Sequence, residues 1–487
     1  MVARHGPTYR AGRELPILTF LRISRVRLAP YLLLLTMNTQ TQSLDPDAIR
    51  HVDVYRAVWR WHFYAGILVI PFLILLATTG GLYLFHNEIE NAWYHDLKYV
   101  QTESTPALAP SALTEAALQA HPGTLAKYLP PSAPDAAAQV VIKPATGASL
   151  SVYVNPYDGH VLGAHPERDT LMWTIRRLHS LDYFGPIANG AIEIAAGWSI
   201  LLVLTGIYLW WPRGRKQGVI NVRGTPAKRV FWRDTHAVTG VIVGFFILFL
   251  ATTGMPWSIV WGAKINQWAN GNNFGYPAGV RVALPMSDEH LAHMGHTTWS
   301  LEQARVPEST STHAMGQPEM GQPINLDTAV DRFNQLGLAP GYAINVPQSP
   351  TGVYTASVYP NDLTRQRVVH LDQYSGQPLL DMSYADYGPL GKTLEWGINV
   401  HMGQEFGLAN QLILLAACIA IVLLCVAGAV MWWKRRPTGG LGVPPMPATR
   451  SALRGVMVLM VIGGIIFPLV GASLLIMLAL DLLLQRR

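Results

Sequence analysis

Charged side chains are scarce in this sequence. Asp, Glu, Lys and Arg make up 14% of its 487 residues, where soluble proteins carry about a quarter. With half of the residues hydrophobic, that deficit excludes an ordinary soluble enzyme and points to a bilayer. Cysteine is nearly absent. Cys418 and Cys425 are the only two; they lie in one apolar stretch and read as small hydrophobes, so neither a disulfide framework nor a thiolate metal site follows. A Rossmann-type glycine fingerprint is also missing, so no nicotinamide-binding domain is expected within the chain.

What is present is apolar sequence in long runs. Five stretches, approximately Trp61–Phe85, Ile192–Trp211, Ala237–Trp261, Leu408–Trp433 and Gly455–Leu480, reach the roughly 20 residues that a hydrocarbon core demands. The loop after the second holds Arg213, Arg215, Lys216, Arg223, Lys228, Arg229 and Arg233 against Asp234, and the loop after the fourth holds Lys434, Arg435, Arg436, Arg450 and Arg454. The long segments 87–190 and 263–400 carry more acids than bases. Lys and Arg accumulate on the cytoplasmic side, so the short basic loops are expected inside and the long segments outside, which in a bacterium means the periplasm. The net charge of +6 is then a topology signal, and no nucleic-acid partner is expected.

The expected order is an N-terminal extension (1–50) left out of the fold, with Met37 as a candidate start, and a first span (51–86). An external domain (87–190), a second span (191–212), a basic loop (213–235) and a third span (236–262) follow. A second external domain (263–400), a fourth span (401–433), a loop (434–454) and a fifth span (455–483) complete it. The order is a duplication. A shift of 174 lays His62 on His236, Gly66 on Gly240 and Ala77-Thr78-Thr79-Gly80 on Ala251-Thr252-Thr253-Gly254. A shift of 222 lays His179 on His401, Gly206 on Gly428 and Trp210 on Trp432. Both halves start on one side, so the repeat is parallel, with its pseudo-two-fold along the membrane normal. Asp158-Gly159 and Ser375-Gly376, between alternating residues, predict a hairpin in each external segment. Helical stretches at Ala112–Ala120 and Leu326–Leu336 precede them, so each segment is expected to be a small α+β domain. The difference between the shifts implies an insertion near 287–322, rich in Gly, Pro, Ser and Thr. It is expected to be a polar mobile loop, although His290, His293, His296, His313, Met294, Met315 and Met320 could bind copper-like metals.

The four repeat-related histidines carry the functional signal. His62 and His236 begin the first and third spans; His179 and His401 precede the second and fourth. A lone boundary histidine is usually interfacial, but two symmetry-related pairs, one at each face, suit axial ligation of two haems; a proton relay or a structural role are the alternatives. The expected pairs are His62 with His236 and His179 with His401. Gly66 and Gly240, one turn deeper, would leave room for a porphyrin, unless they serve close helix packing instead. Propionates need cations, for which Arg60 and Arg233 are candidates inside, and Arg176 and Arg177 outside. His86, His95, His121 and His160 have no repeat partner and are not chosen. Two bis-histidine b-type haems leave no open iron position and favour electron transfer across the bilayer.

The segments Trp59-Arg60-Trp61-His62, Thr78-Thr79-Gly80-Gly81-Leu82-Tyr83 and Leu204-Thr205-Gly206-Ile207-Tyr208-Leu209-Trp210-Trp211-Pro212 resemble the PepSY-associated transmembrane family of iron-regulated inner-membrane proteins. The Asp158-Gly159 and Ser375-Gly376 hairpins resemble PepSY units, and the resemblance covers about 51–483. It implies a polytopic α-helical membrane protein of about five spans with two PepSY-like periplasmic domains. By that resemblance the function is a dihaem reductase of a periplasmic ferric chelate, a ferric siderophore, with electrons from quinol or a separate reductase. Two other functions remain open: a PepSY-type regulatory protein that restrains peptidases, and a metal-handling protein acting through the His/Met-rich insert.

Overall fold

The computed structural model describes residues 46–213, 218–281, 284–294, 297–309, 322–447 and 450–485. The chain divides into two units, Met1–His51 and Val52–Arg487, and the second holds everything discussed below. Met37 and nearly all of the expected N-terminal extension lie outside the described residues.

The helices that position the site are α1 (Pro46–Tyr83), α2 (Pro110–Ala120), α3 (Leu171–His179), α4 (Pro186–Trp210), α5 (Arg229–Gly254), α6 (Trp261–Gly271), α7 (Leu326–Gln335), α8 (Pro389–His401), α9 (Gly407–Arg435), α10 (Arg450–Ile466) and α11 (Pro468–Gln485). Among the described residues four segments are long and apolar enough to span a bilayer: Asp53–Tyr83, Pro186–Trp210, Arg229–Trp257 and Gly407–Arg435. They meet around a core to which α1 gives Ala77, α4 Val203, α5 Val243 and Ile247, and α9 Cys418, Ile421, Leu424 and Cys425. The cysteines are free and buried, as small hydrophobes would be. Outward-facing Leu82, Leu204, Phe245 and Ile419 stay exposed, as a lipid-facing surface requires.

The fifth expected span is not one helix. Pro468 has no N–H to donate to Gly464 and occupies the first turn of a new helix, so the stretch divides into α10 and α11. The two approach so closely that a Cβ on Gly464 would lie 2.7 Å from the Cα of Gly471. Trp198 Nε1 of α4 donates to Ser473 Oγ at 2.8 Å, which fastens α11 to the bundle.

The two long segments also differ from expectation: they do not form separate domains. Eight antiparallel strands make one sheet in the order β10-β9-β8-β7-β1-β2-β3-β4. Here β1 is Thr124–Leu129, β2 Ala138–Lys143, β3 Leu150–Val154, β4 Val161–Pro166, β7 Ala343–Asn345, β8 Val353–Val358, β9 Arg367–Asp372 and β10 Pro378–Ser383. The two meanders meet at a central seam where Lys127 faces Asn345 and Tyr128 faces Ile344. Helices α2 and α7 cover one face, and a single core runs from Leu113, Ala117 and Val140 to Phe333, Ile344 and Val369. Both expected hairpins form, with Gly159 and Gly376 at φ +74° and +67°, a conformation that glycine adopts without strain.

The described residues of the insert near 287–322 hold regular structure. A ladder joins β5 (Met286–His290) to β6 (Arg305–Pro307), and Trp299 and Leu301 are buried. His296, His313, Met315 and Met320 fall outside the described residues.

The short basic loops gather at the end of the bundle away from the sheet. Lys434 Nζ donates to Ala227 O at 3.0 Å, and Arg60 Nη1 to Pro444 O at 2.6 Å. The duplication extends to single bonds: Trp210 Nε1 donates to Val219 O at 2.9 Å, and its repeat mate Trp432 Nε1 donates to Leu441 O at 2.8 Å.

Candidate functional site

The bundle brings the four histidines together as two pairs. His62 on α1 and His236 on α5 stand with ring centroids 6.5 Å apart and planes at 82°. His179 ends α3 and His401 ends α8, and His179 lies close enough to His401 to act on its charge. Burial pushes the His179 imidazole down to about 4. Burial first, then the neighbouring His179, pushes His401 down to about 3. Both are therefore neutral near pH 7, with one ring nitrogen unprotonated.

The hydrogen bonds decide which nitrogen that is. His179 Nδ1 lies 2.9 Å from Thr79 Oγ1, His62 Nδ1 2.9 Å from Thr205 Oγ1, and His401 Nδ1 2.8 Å from Thr253 Oγ1. Each hydroxyl already donates its proton to the carbonyl one turn back: Thr79 to Leu75 at 2.6 Å, Thr205 to Leu201 at 2.7 Å and Thr253 to Phe249 at 2.7 Å. A hydroxyl has one proton to give, so towards the histidine it accepts, and Nδ1 carries the hydrogen. His236 reaches the same state differently, its Nδ1 donating to Leu424 O at 3.0 Å. All four imidazoles thus hold Nδ1–H and leave the Nε2 lone pair uncommitted, the state in which histidine binds a metal while its other nitrogen is anchored.

Each ring also lies against a glycine of the helix that holds it. A Cβ would stand 3.2 Å from His179 Cε1 at Gly80, 3.3 Å from His62 Cε1 at Gly206, 3.5 Å from His401 Cε1 at Gly254 and 3.2 Å from His236 Cε1 at Gly428. Of the two glycines expected to leave room for a porphyrin, Gly66 faces open space, since a Cβ there would meet nothing within 4 Å, and a Cβ at Gly240 would meet Leu424 at 3.3 Å. The threonines and their glycines were visible as three Thr-Gly dipeptides, Thr79-Gly80, Thr205-Gly206 and Thr253-Gly254. The fourth position is Ala427-Gly428, and its missing hydroxyl is why His236 turns to a backbone carbonyl.

The four arginines are scattered around these pairs. Arg60 is buried and donates to Pro444 O and, at 3.1 Å, to Tyr64 Oη. Arg233 is engaged by Asp234, with Nε 2.9 Å from Oδ1, while Arg223 clamps the other carboxylate oxygen at 2.7 Å. Arg177 pairs with Asp182 at 3.4 Å, and Arg176 lies over the Trp173 ring at 5.1 Å.

Glu193 is the one acid in the apolar stretch Ile192–Trp211, and an ionisable residue in such a stretch is itself the signal of a buried role. It is buried inside the spanning part of α4 and accepts from the amides of Val260, at 2.9 Å, and Trp261, at 3.2 Å. It thereby caps the start of α6, where a helix end favours an anion. Among the described residues no three His, Cys, Asp or Glu side chains gather as a metal cluster would. The arrangement offers paired, neutral imidazole ligands.

A family model described as the PepSY-associated TM region matches residues 59–435. Comparison with curated proteins finds no match. The matched range contains all four histidines and their threonine and glycine contacts.

Proposed function

The chain belongs to the family of the PepSY-associated TM region, and on that footing we propose that it is a membrane dihaem electron carrier that reduces a ferric chelate, such as a ferric siderophore, outside the cytoplasm. The observation that carries this reading is the His62–His236 pair with its Nδ1 anchors. Two imidazoles on one iron, each bonded at about 2 Å as histidine–metal bonds are, have ring centres roughly 6 Å apart, close to the 6.5 Å seen. His62 and His236 would hold the haem nearer the basic loops, and His179 and His401 the one nearer the sheet.

Bound haem supplies reversible one-electron transfer. The protein's part would be to supply two imidazoles to each haem, to fix their tautomer through Thr79, Thr205, Thr253 and Leu424 O, and to seat the rings on glycine. Arg60, which also donates to Pro444 O and Tyr64 Oη, and Arg176 are the cations we assign to the propionates. An electron from quinol or a separate reductase would enter at the basic-loop end and leave at the sheet end, reducing Fe(III) in the chelate to Fe(II). The basic loops make that end cytoplasmic in a bacterial inner membrane.

The test is a pyridine haemochrome count on the purified chain and its His→Ala variants. The expected count is near two per chain. His62→Ala and His236→Ala should each lose the same haem, and His179→Ala and His401→Ala the other. Full loading in all four variants would reduce the histidines to a structural role and leave the regulatory reading standing.

A further inference from the structure

Glu395 is a buried acid for which the electron path has no use as it stands. It lies on α8, the helix that ends in His401, six residues before that histidine, an axial offset of about 9 Å. We propose that Glu395 is the proton partner of the sheet-side haem, taking up one proton when an electron arrives there and returning it when the electron leaves. This inference rests on the proposed function and adds what balances the electron's charge.

The setting is an acid without a cation. Glu395 is 3% exposed, and its Oε1 accepts from Ser300 N at 2.8 Å. Gly391, one turn earlier on α8, lets Ser300 come close, since a Cβ there would stand 2.8 Å from Ser300 Oγ. That hydroxyl is buried, otherwise without a hydrogen-bond partner, and faces the Glu395 carboxyl. A hydroxyl both donates and accepts, so it suits the carboxylate and the protonated acid alike. The titratable groups that act on or feel Glu395 are Glu302 from the insert, Tyr384 and Tyr387 from the turn before α8, and Tyr359 beyond β8. Asn399, one turn further on, ties down the Glu405 carboxylate through its Nδ2. Among the described residues neither Glu395 nor Glu302 forms an ion pair, and Lys392 on the same helix forms none either.

Burial, against the Ser300 hydrogen bonds, pushes the Glu395 carboxyl up to about 7, and Glu302 adds to the shift. Near neutral pH the group is therefore poised between its two states. The carboxylate is favoured by the extra positive charge of Fe(III) and loses that support on reduction, so Glu395 then takes a proton from solvent. One electron and one H+ enter together, turning the carboxylate into the acid, and both leave when Fe(III) in the chelate becomes Fe(II). Unit charges roughly 10 Å apart, at an effective dielectric constant of about 20, change each other's equilibrium by about tenfold.

The test is spectroelectrochemical titration of the full-length chain in detergent from about pH 6 to about pH 8, with Glu395→Gln and Glu302→Gln beside it. A tenfold change in proton affinity corresponds to about 59 mV for a one-electron couple, so one of the two midpoint potentials should fall by about that amount across the range. In Glu395→Gln that fall should disappear. In Glu302→Gln, which removes a neighbouring carboxyl, it should move to lower pH. Redox-difference infrared spectra should show a protonated carboxyl band that appears on reduction and is absent from Glu395→Gln. The same pH dependence in Glu395→Gln as in the native chain, or no such band, overturns the proposal. Two haems whose potentials ignore pH overturn this proposal alone, whereas a chain that holds no haem overturns the electron-carrier reading with it.

Discussion

Ala427 stands where the other three sites have threonine, and it shows what the threonine does. With the hydroxyl, the imidazole bonds to a side chain that is itself tied to the helix; without it, the ring reaches a helix carbonyl directly. Thr205→Val keeps the shape and removes the acceptor. It should lower haem affinity at the His62 site by about 10- to 100-fold, the usual cost of losing such a partner, seen as substoichiometric haem. Thr252→Val, which alters an exposed neighbour of Thr253, should leave loading unchanged, and equal losses in both would deny the threonines any specific part. A second single-residue effect belongs to Glu395, buried on α8 and accepting from Ser300 N at 2.8 Å. Burial pushes its carboxyl up to about 7 from the ordinary 4.5, with Glu302 nearby adding to the shift. Between those values the folded protein holds a proton that the unfolded chain releases, so stability falls as pH rises through the window and the penalty is complete above 7. Glu395→Gln should thus raise the melting temperature by several degrees at pH 8 and by almost nothing at pH 4, as differential scanning fluorimetry would show.

Elements were legible where the pattern is local. The spanning helices follow from apolar length, and the Asp158-Gly159 and Ser375-Gly376 turns follow from residues that tolerate positive φ. The break at Pro468 was not legible from the proline alone, because Pro71 lies inside the unbroken α1. Glu193 was legible as an acid inside a span, but its partner was not. Its role depends on α6, whose first amides reach it across the chain. Glu193→Ala leaves those amides without an acceptor and should cost about 1–2 kcal/mol, as lost helix caps do, while Glu193→Gln keeps an acceptor oxygen and should cost less. Thermal unfolding in detergent distinguishes them; equal stability of all three proteins would mean that the cap contributes nothing.

At the scale of the whole molecule the duplication predicted the histidine pairs, because a dyad brings equivalent residues of the two modules together. It did not reveal that the same dyad joins the two long segments into one sheet. The seam, Lys127 opposite Asn345 and Tyr128 opposite Ile344, links strands more than 200 residues apart, and no local pattern encodes such a pairing. The consequence is cooperative. Phe333 is fully buried in a core shared by both meanders, so Phe333→Ala should cost about 3–5 kcal/mol and loosen strands far from it in sequence. Hydrogen exchange should then rise in β1 to β3 together with β7 to β9. If only residues 322–383 lost protection, the segments would be two domains in contact, and the sheet would no longer be the rigid frame that holds α3 and α8, and so His179 and His401, in register with each other.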